Sequence, residues 1–318
     1  MMHKIIIPTP YAVGDVNAFI IKGDALSLVD AGPKTPEAYE ALKYGLKEAG
    51  YTFKDIEQVI LTHHHPDHAG WIDAFDNAKV LGHTYNNVWL KRDEAFFKYH
   101  DQFYLDRLIE EGVPEQYLGW VKKMKRSVDL MGERPIDQLI AEGDTLPGHH
   151  GWTVLETLGH AQSHVVLWNE KSREMFGGDL VLEKVSSNPL IEPPLDPADG
   201  RPRSLLQYNH SLKRILDLPV EVIYSGHGEE VRNIHPLIEG RLERQHERAM
   251  KVFSMMDAGP RTIFELTREL FPKVYEKELG LTLSETIGQT DYLVENGLIR
   301  ETMGEGGIYY YEKDKHGP

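Results

Sequence analysis

Apolar positions follow two rhythms along the first two-thirds of the chain. Short runs rich in β-branched residues at 18–21 (AFII), 25–29 (ALSLV), 59–61 and 79–81 predict strands, whereas apolar positions three and four apart over 37–49 and 70–77 predict helices. Four further strands are expected at 153–157 (TVLET), 165–168, 174–176 and 220–224, each ending close to Gly, Asp or His. The alternation predicts an α/β fold in layers, an architecture that builds its sites at strand ends.

Between 93 and 134 the pattern changes to helical segments dense in aromatics: Phe96, Phe97, Tyr99, Phe103, Tyr104, Tyr117 and Trp120, with Met124. This stretch is read as a helical insertion whose aromatics form a core of their own, a minority remaining to line an apolar substrate pocket. One long charged helix is expected over 235–256, with Ile238, Leu242, Ala249, Val252, Phe253 and Met256 apolar and Gly259-Pro260 ending it. Thr262 and Glu265 form a capping box for a helix through Leu270, and Ser284 is read as the cap of another through Asn296-Gly297. Apolar segments at 298–299 and 308–311 around a Gly-rich turn predict a closing hairpin. Helix, helix, hairpin is the outline of a winged helix, so the chain divides into 1–235 and a small winged-helix-like part, 236–318.

Charge argues against DNA as the ligand of that tail. Its second helix carries Glu285, Asp291 and Glu295 without a Lys or Arg, and residues 259–318 hold seven basic against eleven acidic side chains. Packing, or a homodimer, fits better. The whole chain of 318 residues carries 35 Lys and Arg against 50 Asp and Glu, a net charge of −15 that repels polyanions and anionic lipid. With 41% hydrophobic and 27% charged residues it has the composition of an ordinary globular protein. The absence of Cys excludes a disulfide framework, a catalytic thiol and iron–sulfur ligation, and leaves metal chemistry to His and carboxylates. The apolar run near the start has three residues, and nowhere do about 18 apolar residues follow one another, so a soluble cytoplasmic protein without a membrane span is expected.

The densest chemistry is Leu61-Thr62-His63-His64-His65-Pro66-Asp67-His68-Ala69-Gly70, directly after a predicted strand. In extended chain, side chains at i and i+2 share a face, so His63 and His65 can converge on one ion; a helical turn near Asp67 carries that carboxylate and His68 to a second position. His64 then points away from both. A merely exposed His-rich loop would not need the acid in register. Two ions need more ligands, and single candidates follow three other strands: His160 after Gly159, Asp179 after Gly178 and His227 after Gly226. Each Gly lets the backbone turn sharply beside a crowded centre.

This pattern, His-x-His-x-Asp-His followed by a lone His, Asp and His, resembles the metallo-β-lactamase superfamily over most of residues 1–235. The resemblance implies a four-layer αββα sandwich. It implies that His63, His65 and His160 bind one metal and Asp67, His68 and His227 a second, with Asp179 bridging. Asp30 matches the family's upstream acidic position and would support the ligands from behind; its plainer reading is a turn residue. His164 is read as a hydrogen-bonding partner within the site or a structural residue, His149 and His150 as solvated, and Tyr208 as packed.

Two divalent ions sharing a bridging water lower its pKa from about 15.7 to roughly 7 and so supply hydroxide at neutral pH, with Asp67 placed to orient it or move its proton. Ligation by N and O alone suits zinc, with manganese or iron as alternatives. The expected activity is hydrolysis of an ester, thioester or related acyl bond in a small molecule. Where lactonases of the superfamily commonly carry a Tyr three residues after the bridging Asp, this chain has Leu182, which argues against lactones. The alternatives are a phosphodiesterase or ribonuclease of the same superfamily, and a non-catalytic metal- or nucleic-acid-binding protein.

Overall fold

The computed structural model describes residues 2–121 and 128–314. Strands β1 (Met2–Ile7), β2 (Val16–Lys22), β3 (Leu26–Val29), β4 (Gln58–Ile60), β5 (Lys79–Gly82) and β6 (Gln138–Leu139) form one sheet in that spatial order, antiparallel from β1 to β3 and parallel from β3 to β6. Strands β7 (Trp152–Glu156), β8 (Val165–Asn169), β9 (Glu174–Gly178) and β10 (Val222–Ser225) form a second sheet in the order β10-β9-β8-β7, with β10 parallel to β9. The helices are α1 (Pro36–Glu48), α2 (Pro66–Ala69), α3 (Asn86–Leu90), α4 (Glu94–Glu110), α5 (Ser204–Leu216), α6 (Ile234–Ser254), α7 (Ile263–Leu270) and α8 (Leu279–Glu295). A last hairpin pairs β11 (Ile299–Met303) with β12 (Tyr309–Lys313).

The two-residue period of each strand sorts its side chains into layers. Ala18, Ile20, Leu28, Val59 and Val80 face outward from the first sheet onto Leu42 and Leu46 of α1. Their neighbours Phe19, Ile21, Val29, Ile60 and Leu81 face inward onto Val154, Val165, Leu167 and Phe176 of the second sheet. On that sheet's other side Leu155, Val166, Trp168 and Met175 meet Leu205, Tyr208, Leu212 and Ile215 of α5 and Ile238 of α6. Three apolar interfaces between four layers make the αββα sandwich that the resemblance implied. Both sheets are covered on both faces, which is why their strands read as continuous apolar runs.

Several expectations change. β1 lies outside the predicted strands; its alternate residues Ile5 and Ile7 bury against the α1 side, and the brevity of its apolar run hides it in the sequence. The helix expected over 70–77 is instead α2 plus a single 3-10 turn, Trp71–Ala74. Gly70 is the reason: its N–H bonds the Gly32 carbonyl, and a Cβ there would lie 2.3 Å from the Lys34 nitrogen, so the chain is pinned to the loop after β3. The long helix ends at Ser254, and Thr262 with Glu265 forms the capping box of α7. Ser284 is no cap: α8 begins at Leu279, and the Ser284 hydroxyl sits mid-helix, accepting from the Ile191 N–H at 3.3 Å.

The aromatics of the 93–134 stretch do not form a separate core. Phe96 joins Tyr85 and Trp89 beneath the first sheet, while Tyr104 and Leu108 pack with Ala249, Phe264, Leu283 and Ile287 of the C-terminal helices. Met124 lies outside the described residues. Buried apolar area is the common reason, since a single helix such as α4 cannot cover its own aromatic stripe.

Candidate metal centre

Every residue of the centre stands just beyond the end of a strand. Asp30 follows β3, residues 62–65 follow β4, His160 lies beyond β7, Asp179 is the residue after β9 and His227 lies two residues after β10. Because β3 and β4 run parallel, and β9 and β10 likewise, these ends open on the same edge of the sandwich. Pro66 starts α2, carrying Asp67 and His68 around from the extended His63 and His65.

The seven side chains converge. His63 Nε2 lies 3.0 Å from His65 Nδ1, and the His160 ring stands 5.1 and 4.7 Å from those two rings, centre to centre. His227 Nε2 is 3.3 Å from Asp67 Oδ2. Asp179 lies between the two groups: one oxygen is 3.4 Å from His68 Nε2, the other 3.6 Å from His160 Nε2 and 3.5 Å from His227 Nε2. The far ring nitrogens are held by oxygen. His63 Nδ1 meets the Thr62 hydroxyl (3.0 Å), His68 Nδ1 meets Asp30 (2.8 Å), and His160 and His227 donate to the carbonyls of Asn188 (3.0 Å) and Asp15 (2.8 Å). In contrast, His68 Nε2, His160 Nε2, His227 Nε2 and Asp179 Oδ1 are buried and without hydrogen-bond partners. Buried nitrogens and a carboxylate oxygen aimed at one another, with no partner among themselves, form a donor set that suits a divalent cation. Ligand atoms of His63, His65 and His160, of His63, His68 and Asp179, and of Asp67, His68 and His227 each lie within 4.8 Å of one another.

The glycines are required by contact. A Cβ at Gly226 would lie 2.3 Å from Asp179 Oδ1, one at Gly159 (φ +125°) 2.3 Å from the Tyr208 nitrogen. The supporting residues are likewise explicit. Asp30, with φ 61°, accepts from the Thr62 N–H (2.9 Å) and hydroxyl (2.8 Å) as well as from His68, so it is more than a turn residue. His164 Nε2 accepts from the Asp179 N–H at 3.0 Å, so its proton sits on Nδ1, which donates to the Thr157 hydroxyl at 2.8 Å. Burial, then the charge of His160, lowers His164 to about 3, in accord with a neutral ring.

Electrostatics divide the imidazoles. Burial and neighbouring imidazoles hold His63, His65 and His160 below the ordinary value. For His68 burial acts downward, but Asp179, Asp30 and Asp67 outweigh it and raise it well above that value. The imidazoles of His68 and His227 in turn overcome burial and keep Asp179 well below the usual carboxylate range.

His64 points away as expected, its Nδ1 on the Ser163 hydroxyl (2.8 Å) and its Nε2 on Glu192 (2.9 Å). His150 is exposed, but His149 is not solvated: it is buried, 2.7 Å from the Ser27 hydroxyl, because the loop before β7 folds under Gly23. Tyr208 is packed, donating to the Leu180 carbonyl at 2.9 Å. Leu182 is buried and carries no hydroxyl toward the centre. Sequence reasoning missed Tyr11, Ser163 and Glu192, none of which stands in a chemical motif. The Tyr11 hydroxyl is buried without a partner, and burial together with the charge of Asp67 raises it above the ordinary tyrosine value.

Residues 11–227 match the family model described as Metallo-beta-lactamase superfamily. The chain is 44% identical over 311 residues to the "Probable metallo-hydrolase YqjP" of Bacillus subtilis (strain 168), covering 97% of each. It is 27% identical over 229 residues to a hydroxyacylglutathione hydrolase of Methylobacterium nodulans, covering 69% of this chain and 68% of that one. Among solved structures, a metallo-beta-lactamase family protein from Thermus thermophilus superposes with a TM-score of 0.81 at 27% identity, covering 98% of both chains.

Proposed function

The chain belongs to the metallo-beta-lactamase superfamily, and from that premise we propose that this metallo-hydrolase uses a pair of zinc ions to cleave an ester or thioester bond of a small acyl substrate. The observation that carries the reading is the set of buried, unpartnered atoms, His68 Nε2, His160 Nε2, His227 Nε2 and Asp179 Oδ1, gathered with His63 and His65 at one edge of the sandwich. His63, His65 and His160 would hold one cation and Asp67, His68 and His227 the other, with Asp179 between them. Cations held there would supply the Lewis acidity that polarises a scissile carbonyl and acidifies water.

The chain's own groups do the rest. Asp67, its carboxylate 3.3 Å from His227 Nε2, receives and passes on the proton of the attacking water. Tyr11, kept protonated by burial and by Asp67, donates to the substrate oxygen on which charge develops. A largely apolar cavity of about 140 Å³, lined by Tyr104, Trp120, Leu190 and Leu281 together with Lys277, Glu278 and Ser284, suits the acyl portion, and Leu190 stands two residues from Asn188, whose carbonyl holds His160. The relative called hydroxyacylglutathione hydrolase is named for the hydrolysis of an acyl glutathione, which supports the thioester arm. The net charge of −15 disfavours an RNA or DNA phosphodiester. A cytoplasmic location belongs to the same proposal. No helix among the described residues is long and apolar enough to cross a membrane.

The test is metal analysis of the purified protein followed by hydrolysis assays on esters, thioesters, phosphodiesters and single-stranded RNA. The proposal expects about two zinc ions per chain and turnover confined to the acyl substrates. Turnover confined to RNA or phosphodiesters, or a protein that takes up no metal, overturns it.

A further inference from the structure

Behind the first group of imidazoles lies a buried carboxylate that the hydrolytic reading does not use. Glu192 is 4% exposed and stands on the loop between β9 and α5. One oxygen accepts the Gln162 N–H at 2.6 Å. The other accepts from His64 Nε2 at 2.9 Å and lies 4.0 Å from His65 Nε2. That second oxygen has two lone pairs, and the His64 contact occupies one of them.

The tautomers follow from the partners. Ser163 Oγ accepts the His64 backbone N–H at 3.0 Å and lies 2.8 Å from His64 Nδ1, so its own proton goes to Nδ1 and the His64 ring proton sits on Nε2, facing Glu192. His65 turns Nδ1 to the centre, 3.0 Å from His63 Nε2, while its Nε2 is buried and without a hydrogen bond. If Nδ1 is to offer a lone pair to a cation, the proton must be on Nε2, and the acceptor standing opposite is the free lone pair of Glu192.

The surroundings fix that carboxylate in place. The Tyr104 hydroxyl donates to the Ile191 carbonyl, and the Tyr85 hydroxyl donates to the Pro193 carbonyl at 2.8 Å, so the residues on both sides of Glu192 are clamped. Trp89 stacks flat on His64, 4.8 Å between centres and 12° between planes, and stops that ring from turning away. Glu192 and the ring it bonds therefore form a rigid wall. Closing the 4.0 Å gap to an ordinary hydrogen bond asks His65 to move by about 1 Å.

We propose that Glu192 is a positioning residue for the metal centre: it accepts the Nε2 proton of His65, fixes the tautomer in which His65 Nδ1 is a ligand, and shares this duty with its hold on His64. The proposal rests on the metal reading above and concerns the His63, His65 and His160 half of the site.

The experiment titrates zinc into metal-free full-length protein against a chromophoric chelator, for wild type, Glu192→Gln and His65→Ala, and records the visible spectrum of the cobalt-substituted forms. Glu192→Gln keeps the size of the side chain and an acceptor for Gln162. It is expected to weaken one zinc site about 10- to 100-fold, the range for loss of a supporting partner, to leave the other site essentially unchanged, and to shift the cobalt absorption. A merely structural role would weaken both sites together or neither and would not move the spectrum. If Glu192→Gln does not fold, Glu192→Asp, which keeps the charge but withdraws it by one methylene, is read by the same titration. Unchanged affinity and an unchanged cobalt spectrum in a folded variant overturn the positioning role. Failure of wild type to bind metal overturns the underlying metal reading instead, and the His65→Ala control, expected to lose a site outright, separates the two results.

Discussion

Removing Asp30 tests the support behind the ligands most directly. Its carboxylate is buried and accepts from the Thr62 N–H (2.9 Å), the Thr62 hydroxyl (2.8 Å) and His68 Nδ1 (2.8 Å). Asp30→Ala leaves the Thr62 N–H and the His68 ring N–H as orphaned buried donors, at about 1–3 kcal/mol each. It also places Ala at φ 61°, in the left-handed region, for about 1–2 kcal/mol more. The total, about 3–8 kcal/mol, is a large share of the stability of any domain. Asp30→Asn differs instructively. Asn tolerates the left-handed backbone and keeps an acceptor for Thr62, but its amide N–H₂ faces His68 Nδ1, so the imidazole must accept there and carry its proton on Nε2, toward Asp179. Asn should therefore cost only about 1.5–3 kcal/mol, one charge-assisted hydrogen bond, yet weaken metal binding about 10- to 100-fold. Urea unfolding of metal-free protein at constant m gives the first quantity, and zinc titration the second. A loss below about 1 kcal/mol for Asp30→Ala, or undiminished metal affinity in Asp30→Asn, would refute the reasoning.

The other expectations concern the site and its protons. Asp179→Ala and His65→Ala should each abolish metal-dependent hydrolysis and lower the metal content measured on the purified variant; full activity with full metal content contradicts the ligand assignment. Gly226→Ala should do the same without replacing a ligand, because the added methyl would lie 2.3 Å from Asp179 Oδ1 and 2.8 Å from His68 Cε1; a crystal structure with Asp179 undisplaced would count against it. Tyr11→Phe should lower kcat by about 100- to 1,000-fold with zinc content intact, the range for loss of one donor to a developing oxyanion, and steady-state kinetics with unchanged kcat would remove Tyr11 from the chemistry. For the metal-free protein, His63, His65, His160 and His164 are pushed below 6.5, so the unfolded chain takes up protons that the folded one refuses and stability falls as pH drops from 6.5. His68 and His227 are raised, so their contribution is present below 6.5 and lost as pH rises through their folded values. Urea midpoints across pH should therefore peak near 6.5, and a monotonic profile would show that the centre does not govern the metal-free protein's pH response.

The chain itself determined the layers and the candidate ligand set. Strand positions could be read because a sheet buried on both faces leaves an unbroken apolar run, as in residues 18–21 and 165–168. The candidate ligands could be read because five imidazoles and two acids recur beside strand ends in a spacing that packing does not need. What stayed hidden depends on contacts distant in sequence. Gly70 stops a helix only because the loop after β3 lies against it, and Ser284 is drawn into mid-helix by the Ile191 N–H, 93 residues away. The aromatics of α4 divide between two surfaces, Phe96 against Tyr85 and Trp89 and Tyr104 against the C-terminal helices, because each ring is buried on apolar surface that other elements bring to it. Tyr11 and Glu192 are of residue types found in any turn or loop. A ligand's chemistry is written in its own side chain, but a supporting residue acquires its role from where the folded backbone sets it down, and only the tertiary structure decides that.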